Sequence, residues 1–428
     1  MIKYAKPNRK KTYWIIAGEA ILFLALIIAG GVIGGRDTPE YSSEPSTEAP
    51  LVSWQEMEGN LYYFLPETGE MAKFWQVIDG ARYYFGDDGI LATQWLEIDD
   101  GIYYLGENGK MVTGPITVDG KLVFFGKDGR LETGWQTINQ ETYYFSREGA
   151  LTGWQELDGS RYFFSDAGVR VTGWHVDGEH TYFLDADGKM KTGWLDLEQK
   201  RYYLDESGVL VTGWQTMGSD QYYFREDGRM AIGKLEIDGV NRFFTSTGRY
   251  VIMPNPWNPV PEDFTMNLVD IEGYKFDASG RDALADMLRA CRNAGLSCGI
   301  NNTYRSKGTQ QYLWDNGIKK RMDKGMTYEE ALADTKRAVM IPGHSEHQTG
   351  LAVDIDGNDA ADAWLGEHCW DYGFILRYPD DREEITGIKY EPWHFRYVGM
   401  ELSKELEALG MCMEEYMDML TQQQAKIS

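Results

Sequence analysis

The sequence is short of positive charge. Its 428 residues carry 42 Lys and Arg against 67 Asp and Glu, a formal net charge of −25. Neutralising nucleic-acid phosphates takes clustered Lys and Arg, so no nucleic-acid partner is expected. The acidic balance favours solubility and says little about fold. Cysteine is also scarce: Cys291, Cys298, Cys369 and Cys412 are the whole set. None forms a C-x-x-C pair, which argues against a thiolate zinc site. Cys291 and Cys298 are near enough in sequence for a disulfide in an oxidising compartment, and buried free thiols fit equally well. What the chain has in plenty is aromatic residues, at 14%, and 48 glycines. That pairing predicts many short strands and tight turns. The length predicts more than one domain.

The N-terminus speaks to location. "TYWIIAGEAILFLALIIAGGVIGG" fills residues 12–35 and is long enough to span a bilayer. Glu19 is its one charged residue. Lys3, Lys6, Arg9, Lys10 and Lys11 precede it with no acid among them. The positive-inside rule then puts residues 1–11 in the cytoplasm and everything after Arg36 outside. No clear A-x-A cleavage site follows the apolar run, so an uncleaved anchor is expected rather than a signal peptide. Residues 36–50, "RDTPEYSSEPSTEAP", have the composition of a disordered spacer.

Residues 51–253 repeat. Tryptophans fall at Trp54, Trp75, Trp95, Trp135, Trp154, Trp174, Trp194 and Trp214, close to twenty apart, with Pro115 and Lys234 in degenerate units. A unit reads "TGWQELDGSRYFFSDAG": Gly-Trp, a short run, a DG turn, paired aromatics, a second glycine turn. Ten such units are expected. Two short strands around a glycine turn make a hairpin, and stacked hairpins bury what one cannot, so a β-solenoid is predicted. One ring of each aromatic pair should be core. The others should line grooves, with Trp135, Trp154, Trp174, Trp194, Trp214, Tyr144, Tyr203 and Tyr223 as candidates for ligand contact. Such grooves suit sugar faces or quaternary ammonium groups. The units resemble choline-binding and clostridial cell-wall-binding repeats. Choline-binding units carry a Trp just before the paired aromatics, where this chain has Arg82, Ile102, Thr142, Arg161, Thr181, Arg201 and Gln221. The departure weakens a cation–π cage. The clostridial type is the nearer likeness and implies a carbohydrate or other wall polymer as partner.

"MPNPWNPVPEDF", with four prolines, reads as a stiff linker at 254–263. Residues 264–428 then shift to mixed α and β. Leu284, Met287, Leu288 and Cys291 mark a helical face that Gly295 should end. "SCGINNTYRS" reads as a strand leading into a loop, and "SKGTQQYLWDNGIKKRMDKG" and "MTYEEALADTKRAVM" read as helices.

The chemistry concentrates in two stretches. In "PGHSEHQTGLAVDIDG", Leu351, Val353 and Ile355 alternate with Ala352, Asp354 and Asp356, a strand with Asp354 off its apolar face. His347 and Asp354 would face opposite sides of one straight strand, and Gly350 allows the bend that lets them converge. In "YEPWHFRYVG", Pro392 fits a first helical position, and a turn there sets Glu391 beside His394. Two imidazoles and a carboxylate make a plausible catalytic zinc set. A second carboxylate, Glu391, is placed to move a proton. Ser345 lacks a nucleophile elbow. His344 reads as a loop residue, His368 as structural, and His175 and His180 as turn residues of the repeats.

Residues 264–420 resemble the VanY-type D-alanyl-D-alanine carboxypeptidases. The likeness rests on "YRS" at 304–306, "SEHQTGLAVDI" at 345–355 and "EPWHFRYVG" at 391–399. It implies one zinc ion on His347, Asp354 and His394, with Glu391 as general base. It also implies that Arg305 binds the substrate's terminal carboxylate and steadies the oxyanion, a task suited to a fork of donors. Gln310 and Ser345 fall where the family lines its substrate site. "NNT" before Tyr304 departs from the family's frequent "SG". The expected protein is a multidomain, membrane-anchored zinc peptidase at a Gram-positive-type wall: a transmembrane helix, a hairpin solenoid, and an α+β domain trimming the terminal D-Ala from peptidoglycan stem peptides. An endopeptidase with the same metal site, and a wall-binding adhesin with an idle peptidase domain, are the alternatives.

Overall fold

The computed structural model describes residues 53–98 and 101–426. They divide into two compact units between Ala92 and Thr93. The expected cytoplasmic tail, the span at 12–35 and the spacer at 36–50 lie outside the described residues. Among the described residues, no helix is long and apolar enough to cross a membrane.

Ten antiparallel hairpins run from Trp54–Met57 with Asn60–Tyr63 to Gly233–Ile237 with Val240–Phe244, two in the first unit and eight in the second. Their register explains the paired aromatics. Trp154 lies opposite Phe163, and Gln155 opposite Tyr162. Successive residues of a strand point to opposite faces, so Trp154 shares a face with Phe163 while Tyr162 turns away with Phe164. Tyr143, Tyr162 and Tyr182 are buried, and Phe125, Phe145, Phe164 and Phe224 more fully still. One ring of the pair is therefore core in several hairpins, as the repeat pattern implied, whereas both rings of Tyr62–Tyr63, Tyr202–Tyr203 and Tyr222–Tyr223 are only half-buried. Within a unit the Trp also reaches the next hairpin: Trp135 sits 5.1 Å from Tyr162 and 5.9 Å from Phe164 between ring centroids. Most of the described hairpin turns take both central residues to positive φ, for example 51° at Asp158 and 71° at Gly159, the geometry that Asp-Gly favours. Backbone bonds stitch neighbouring hairpins, with Met190 N–H donating to Arg161 O and Met230 N–H to Arg201 O. His175 and His180 lie on strands rather than in turns. The His175 ring lies 3.8 Å from Phe163 between centroids, tilted by 34°, because its alternate position on Gly173–Asp177 faces that ring.

The C-terminal part opens with the hairpin β1 (Leu268–Ile271) and β2 (Tyr274–Asp277), followed by α1 (Ala278–Asn293). Asp277 caps α1 by accepting from Ser279 N–H at 3.0 Å. Leu284, Met287, Leu288 and Cys291 form its buried face, and the chain leaves the helix at Gly295, φ 82°. Then come β3 (Cys298–Asn302), α2 (Lys307–Met322), α3 (Tyr328–Lys336), β4 (Ala352–Gly357), α4 (Asp359–His368) and β5 (Phe374–Leu376). One turn, α5 (Glu383–Thr386), precedes β6 (His394–Tyr397), α6 (Met400–Leu409) and α7 (Met413–Lys426). The four-stranded antiparallel sheet has the order β3-β4-β6-β5. α1 packs on it through Val353, Ile355, Phe374 and Phe395. All four cysteines are buried free thiols.

A second core joins the last repeat to this domain. Phe243, Val251 and Met253 pack with Leu402, Leu406, Met413, Tyr416, Met417 and Leu420. Polar contacts accompany them: Lys234 N–H donates to Thr421 Oγ1 at 2.8 Å, and Ser246 N–H to Tyr416 Oη at 2.9 Å. The proline-rich segment read as a linker is held at both ends. Pro254 and Asn255 are buried, His344 Nδ1 bonds Asn255 O at 2.8 Å, and Val260 N–H donates to Gly343 O at 2.8 Å. Apolar burial across the junction makes the last repeat part of the peptidase core. A chain starting at residue 254 should accordingly lose about 3 kcal/mol or more of stability, the scale of one deleted buried Phe. Urea unfolding followed by circular dichroism, against a chain that keeps residues 213–428, measures this. Equal midpoints would contradict the shared core.

Candidate active site

The sheet register assembles the site. β4 and β6 pair so that Asp354 lies directly opposite His394. His347 arrives from a 3₁₀ turn, Glu346–Thr349, that ends at Gly350 in the left-handed region, φ 72°. A side chain there would also meet Leu268 Cδ2 at 2.7 Å. The predicted bend therefore exists, and the imidazole comes from a turn before the strand. The second motif differs in detail from the expectation. Pro392 opens no helix: Glu391 to His394 is a β-turn closed by His394 N–H to Glu391 O at 3.2 Å. His394 begins β6, whose ladder with β4 leaves no room for a helical turn.

His347 Nε2 lies 3.3 Å from Asp354 Oδ2, and His394 Nδ1 lies 3.0 Å from Asp354 Oδ1. One ligand atom from each of the three residues falls within 4.8 Å of the others. The outward-facing nitrogens define the tautomers. His347 Nδ1 is 2.6 Å from Thr303 O, which can only accept. Its proton is therefore on Nδ1, and the Nε2 lone pair faces the site. His394 Nε2 faces Glu346 Oε2 at 3.8 Å, which favours N–H there and a lone pair on Nδ1. His347 Nε2 and Asp354 Oδ1 are buried and make no aligned hydrogen bond. Two inward lone pairs and a carboxylate oxygen are the donor set of a zinc site with one position open.

Around them, Glu391 Oε2 lies 3.4 Å from His394 Nδ1. Burial, reinforced by the charge of Asp354, pushes its carboxyl up to about 7 against the pull of His394 and Arg305. Asp354 behaves oppositely: burial would raise it, but the two imidazoles hold it well below the usual carboxylate range. Burial lowers His347, whereas His394 is pushed up to about 9, its burial overcome by Asp354 and Glu346, so that a metal ion takes the Nδ1 lone pair by displacing a proton. The Arg305 guanidinium lies 3.8 Å from Asp354 Oδ2, and its buried Nε has no partner. Arg305, Gln310, Ser345, His347, Asp354, Glu391 and His394 all line one cavity of about 380 Å³. Gln310 donates through Nε2 to Met340 O at 2.7 Å and keeps a buried Oε1 without a partner. Every residue singled out for the peptidase site is thus brought together.

Some contributors were not anticipated. Glu346 is fully buried within the "SEHQTG" motif itself. Arg377 Nε donates to Glu346 Oε1 at 2.9 Å, and its terminal nitrogens hold Glu414 at 2.9 and 2.6 Å. Glu414 Oε1 also accepts from Asn255 Nδ2 at 3.1 Å. Arg377 and Arg396 keep Glu346 ionised against its burial. The available signal was "FILRYP", a charged residue continuing an apolar strand. Tyr378, 4.9 Å from the His394 ring, and Trp393 also line the cavity.

In the repeats, the candidate rings split. Trp135, Trp174 and Trp214 are exposed, while Trp154, Trp194, Tyr144, Tyr203 and Tyr223 are half-buried.

The model of the D-alanyl-D-alanine carboxypeptidase family VanY matches residues 274–400. The choline-binding repeat matches 75–113, 151–192, 171–212 and 211–252, and a putative cell wall binding repeat matches 133–151. A D-alanyl-D-alanine carboxypeptidase of Enterococcus faecalis is 38% identical over 176 residues, 39% of this chain and 65% of the relative, so the chain spans about two-thirds of its length. The bifunctional D-Ala-D-Ala dipeptidase and carboxypeptidase VanXYC of Enterococcus gallinarum is 42% identical over 151 residues, 31% of this chain and 74% of the relative. Among solved structures, VanYB in complex with D-alanine-D-alanine is 37% identical and covers 39% of this chain and 96% of its own, with a TM-score of 0.38. A VanY mutant in complex with Zn(II) is also 37% identical, covering 39% and 97%, with a TM-score of 0.37. CbpJ of Streptococcus pneumoniae is 26% identical and covers 54% and 92%, with a TM-score of 0.41. With the VanY match over 274–400 and the extent of likeness to VanXYC, the chain belongs to the VanY family of D-alanyl-D-alanine carboxypeptidases, with choline-binding-type repeats on its N-terminal side.

Proposed function

We propose that this chain is a zinc-dependent carboxypeptidase that removes the terminal D-Ala from peptidoglycan stem peptides while its aromatic repeats hold it on wall material. The carrying observation is the group of His347, Asp354 and His394 with ligand atoms within 4.8 Å, beside Glu391 and Arg305 in one cavity. The Zn(II) and D-alanine-D-alanine of the related structures support the choice of metal and substrate. The apolar segment at 12–35 and the basic residues before it support anchoring in a cell membrane with the N-terminus inside.

A zinc ion held by His347 Nε2, Asp354 and His394 Nδ1 supplies Lewis-acid activation of the carbonyl and of water at neutral pH. The chain's own groups do the rest. Arg305 pairs with the substrate's terminal carboxylate through its fork of donors. Gln310 Oε1 and Ser345 accept and donate along the peptide. Glu391 takes the proton of the attacking water as oxygen bonds to the carbonyl carbon. It then delivers that proton to the amide nitrogen as the C–N bond breaks, leaving a shortened carboxylate and free D-Ala. A carboxyl held near 7 is poised for both transfers. Glu346 orients His394 as the carboxylate behind a metal-facing imidazole.

The deciding experiment is digestion of free pentapeptide and of cross-linked muropeptides by the full chain. D-Ala release from pentapeptide with intact cross-links is expected; cleaved cross-links would instead establish an endopeptidase. Glu391→Gln should lower kcat by about 10²–10⁴, the weight of a general base, with one zinc per chain retained by elemental analysis. Turnover near that of the unaltered chain would refute its role. Glu346→Gln should weaken zinc binding by about 10–100-fold, the usual effect of removing an outer-shell partner, read by competition with a chromogenic chelator. Unchanged affinity would show that Glu346 serves only the buried ion cluster.

A further inference from the structure

Three arginines lie on the tryptophan faces of their own hairpins. The guanidinium carbon of Arg82 is 4.6 Å from the Trp75 ring, that of Arg161 is 4.4 Å from Trp154, and that of Arg201 is 4.4 Å from Trp194. The register requires this. Arg161 lies opposite Glu156, two residues along from the Trp154–Phe163 pair, so it is a diagonal neighbour on the same face. The place it fills is the one where choline-binding units have a Trp. The chain thus removes one wall of a possible cage and sets a cation on another.

Four of the remaining hairpins keep the Trp but differ at that place. Ile102, Thr142, Thr181 and Gln221 accompany Trp95, Trp135, Trp174 and Trp214, which are 43%, 38%, 41% and 40% exposed. Two other arginines approach this group only at 5.9 Å: Arg170 at Trp135 and Arg242 at Trp214. Arg242 is tied to both oxygens of Asp263, at 3.1 and 2.8 Å. A tertiary ring braces each exposed indole, for example Phe183 and Tyr202, each 5.0 Å from Trp174.

A quaternary ammonium binds by lying over a ring face. Where a guanidinium already lies there, a second cation meets a covered face and like charge. Anionic wall polymers meet a chain with a net charge of −25. A neutral saccharide fits what is left, because a pyranose sets its C–H face on an exposed indole and, beside Trp135, Trp174 and Trp214, its hydroxyls toward Thr142, Thr181 and Gln221. We infer that the repeats recognise neutral wall saccharide, with Trp95, Trp135, Trp174 and Trp214 as the contact set, and that Arg82, Arg161 and Arg201 set specificity by occupying the cation position of their own repeats. This rests on the wall-binding part of the proposed function.

The test uses the full chain, with D-Ala release from soluble pentapeptide as the check of folding. Binding is measured by sedimentation with sacculi stripped of phosphate polymers, and choline by titration of tryptophan fluorescence. The unaltered chain should bind sacculi and give no saturable choline response. Changing Arg82, Arg161 and Arg201 together to Ala should create a choline response and leave sacculus binding within about twofold. Trp174→Ala and Trp95→Ala should each weaken sacculus binding, and all four exposed tryptophans changed to Ala should lower it about tenfold or more, as expected when dominant anchors are removed. Sacculus binding released by free choline, or unaffected by the four tryptophan changes, would overturn the inference while leaving wall binding intact. No sacculus binding at all would overturn wall binding itself.

Discussion

The site depends on one register: Asp354 of β4 opposite His394 of β6. That pairing places a carboxylate and an imidazole from stretches forty residues apart within 3.0 Å. Slip either strand by one residue and the two side chains fall on opposite faces. The surroundings enforce the register. Val353 and Phe395, the neighbouring opposed pair, are completely buried on the α1 side, so a slip of either strand would carry its own apolar residue into the polar site. The apolar face of the sheet thereby aims its chemical face. Gly350 adds the remaining imidazole, since only a left-handed residue without a side chain lets the turn bearing His347 close over Leu268.

Behind this face lies a buried ion cluster, Glu346, Arg377 and Glu414, which continues to Asn255. Buried charges are costly unless their bonds are complete. Here the four N–H bonds of the cluster are direct, and the one underused oxygen, Glu346 Oε2, faces the underused His394 Nε2. The cluster thus leaves its spare acceptor where a metal-facing imidazole has its spare proton. Glu414 stands on α7, the helix that also packs on the last repeat. Rigid support for the site and attachment of the repeats use the same helix.

The short-range signals were legible in sequence. Alternation along Leu351–Asp356 marked β4, the 3.6-residue spacing of Leu284, Leu288 and Cys291 marked α1, and the glycine turns marked the hairpins. The two motifs marked the candidate ligands His347, Asp354 and His394, through their likeness to the VanY-type sequences, because both are local and polar in apolar company. What was not legible is long-range. Nothing local distinguishes Glu346 from a solvated loop acid, since its partner Arg377 stands 31 residues away. The helical turn expected at Pro392 gave way to a β-turn because the β4 ladder claims His394, a tertiary demand that overrides proline's local preference. The segment at 254–263 has a linker's composition, and only the packing of Asn255 and His344 shows it fastened. The arginines before the paired aromatics were visible as departures, yet their position over the indoles follows from hairpin register.

The central claim is that His347, Asp354 and His394 share one ion. Anomalous diffraction at the zinc edge from crystals of the full chain tests it most directly. The account predicts one strong peak about 2.0–2.2 Å from His347 Nε2, His394 Nδ1 and an Asp354 oxygen, the ordinary zinc distances. A zinc-loaded, active crystal with its peak elsewhere, or with any of the three side chains turned from it, would contradict the account.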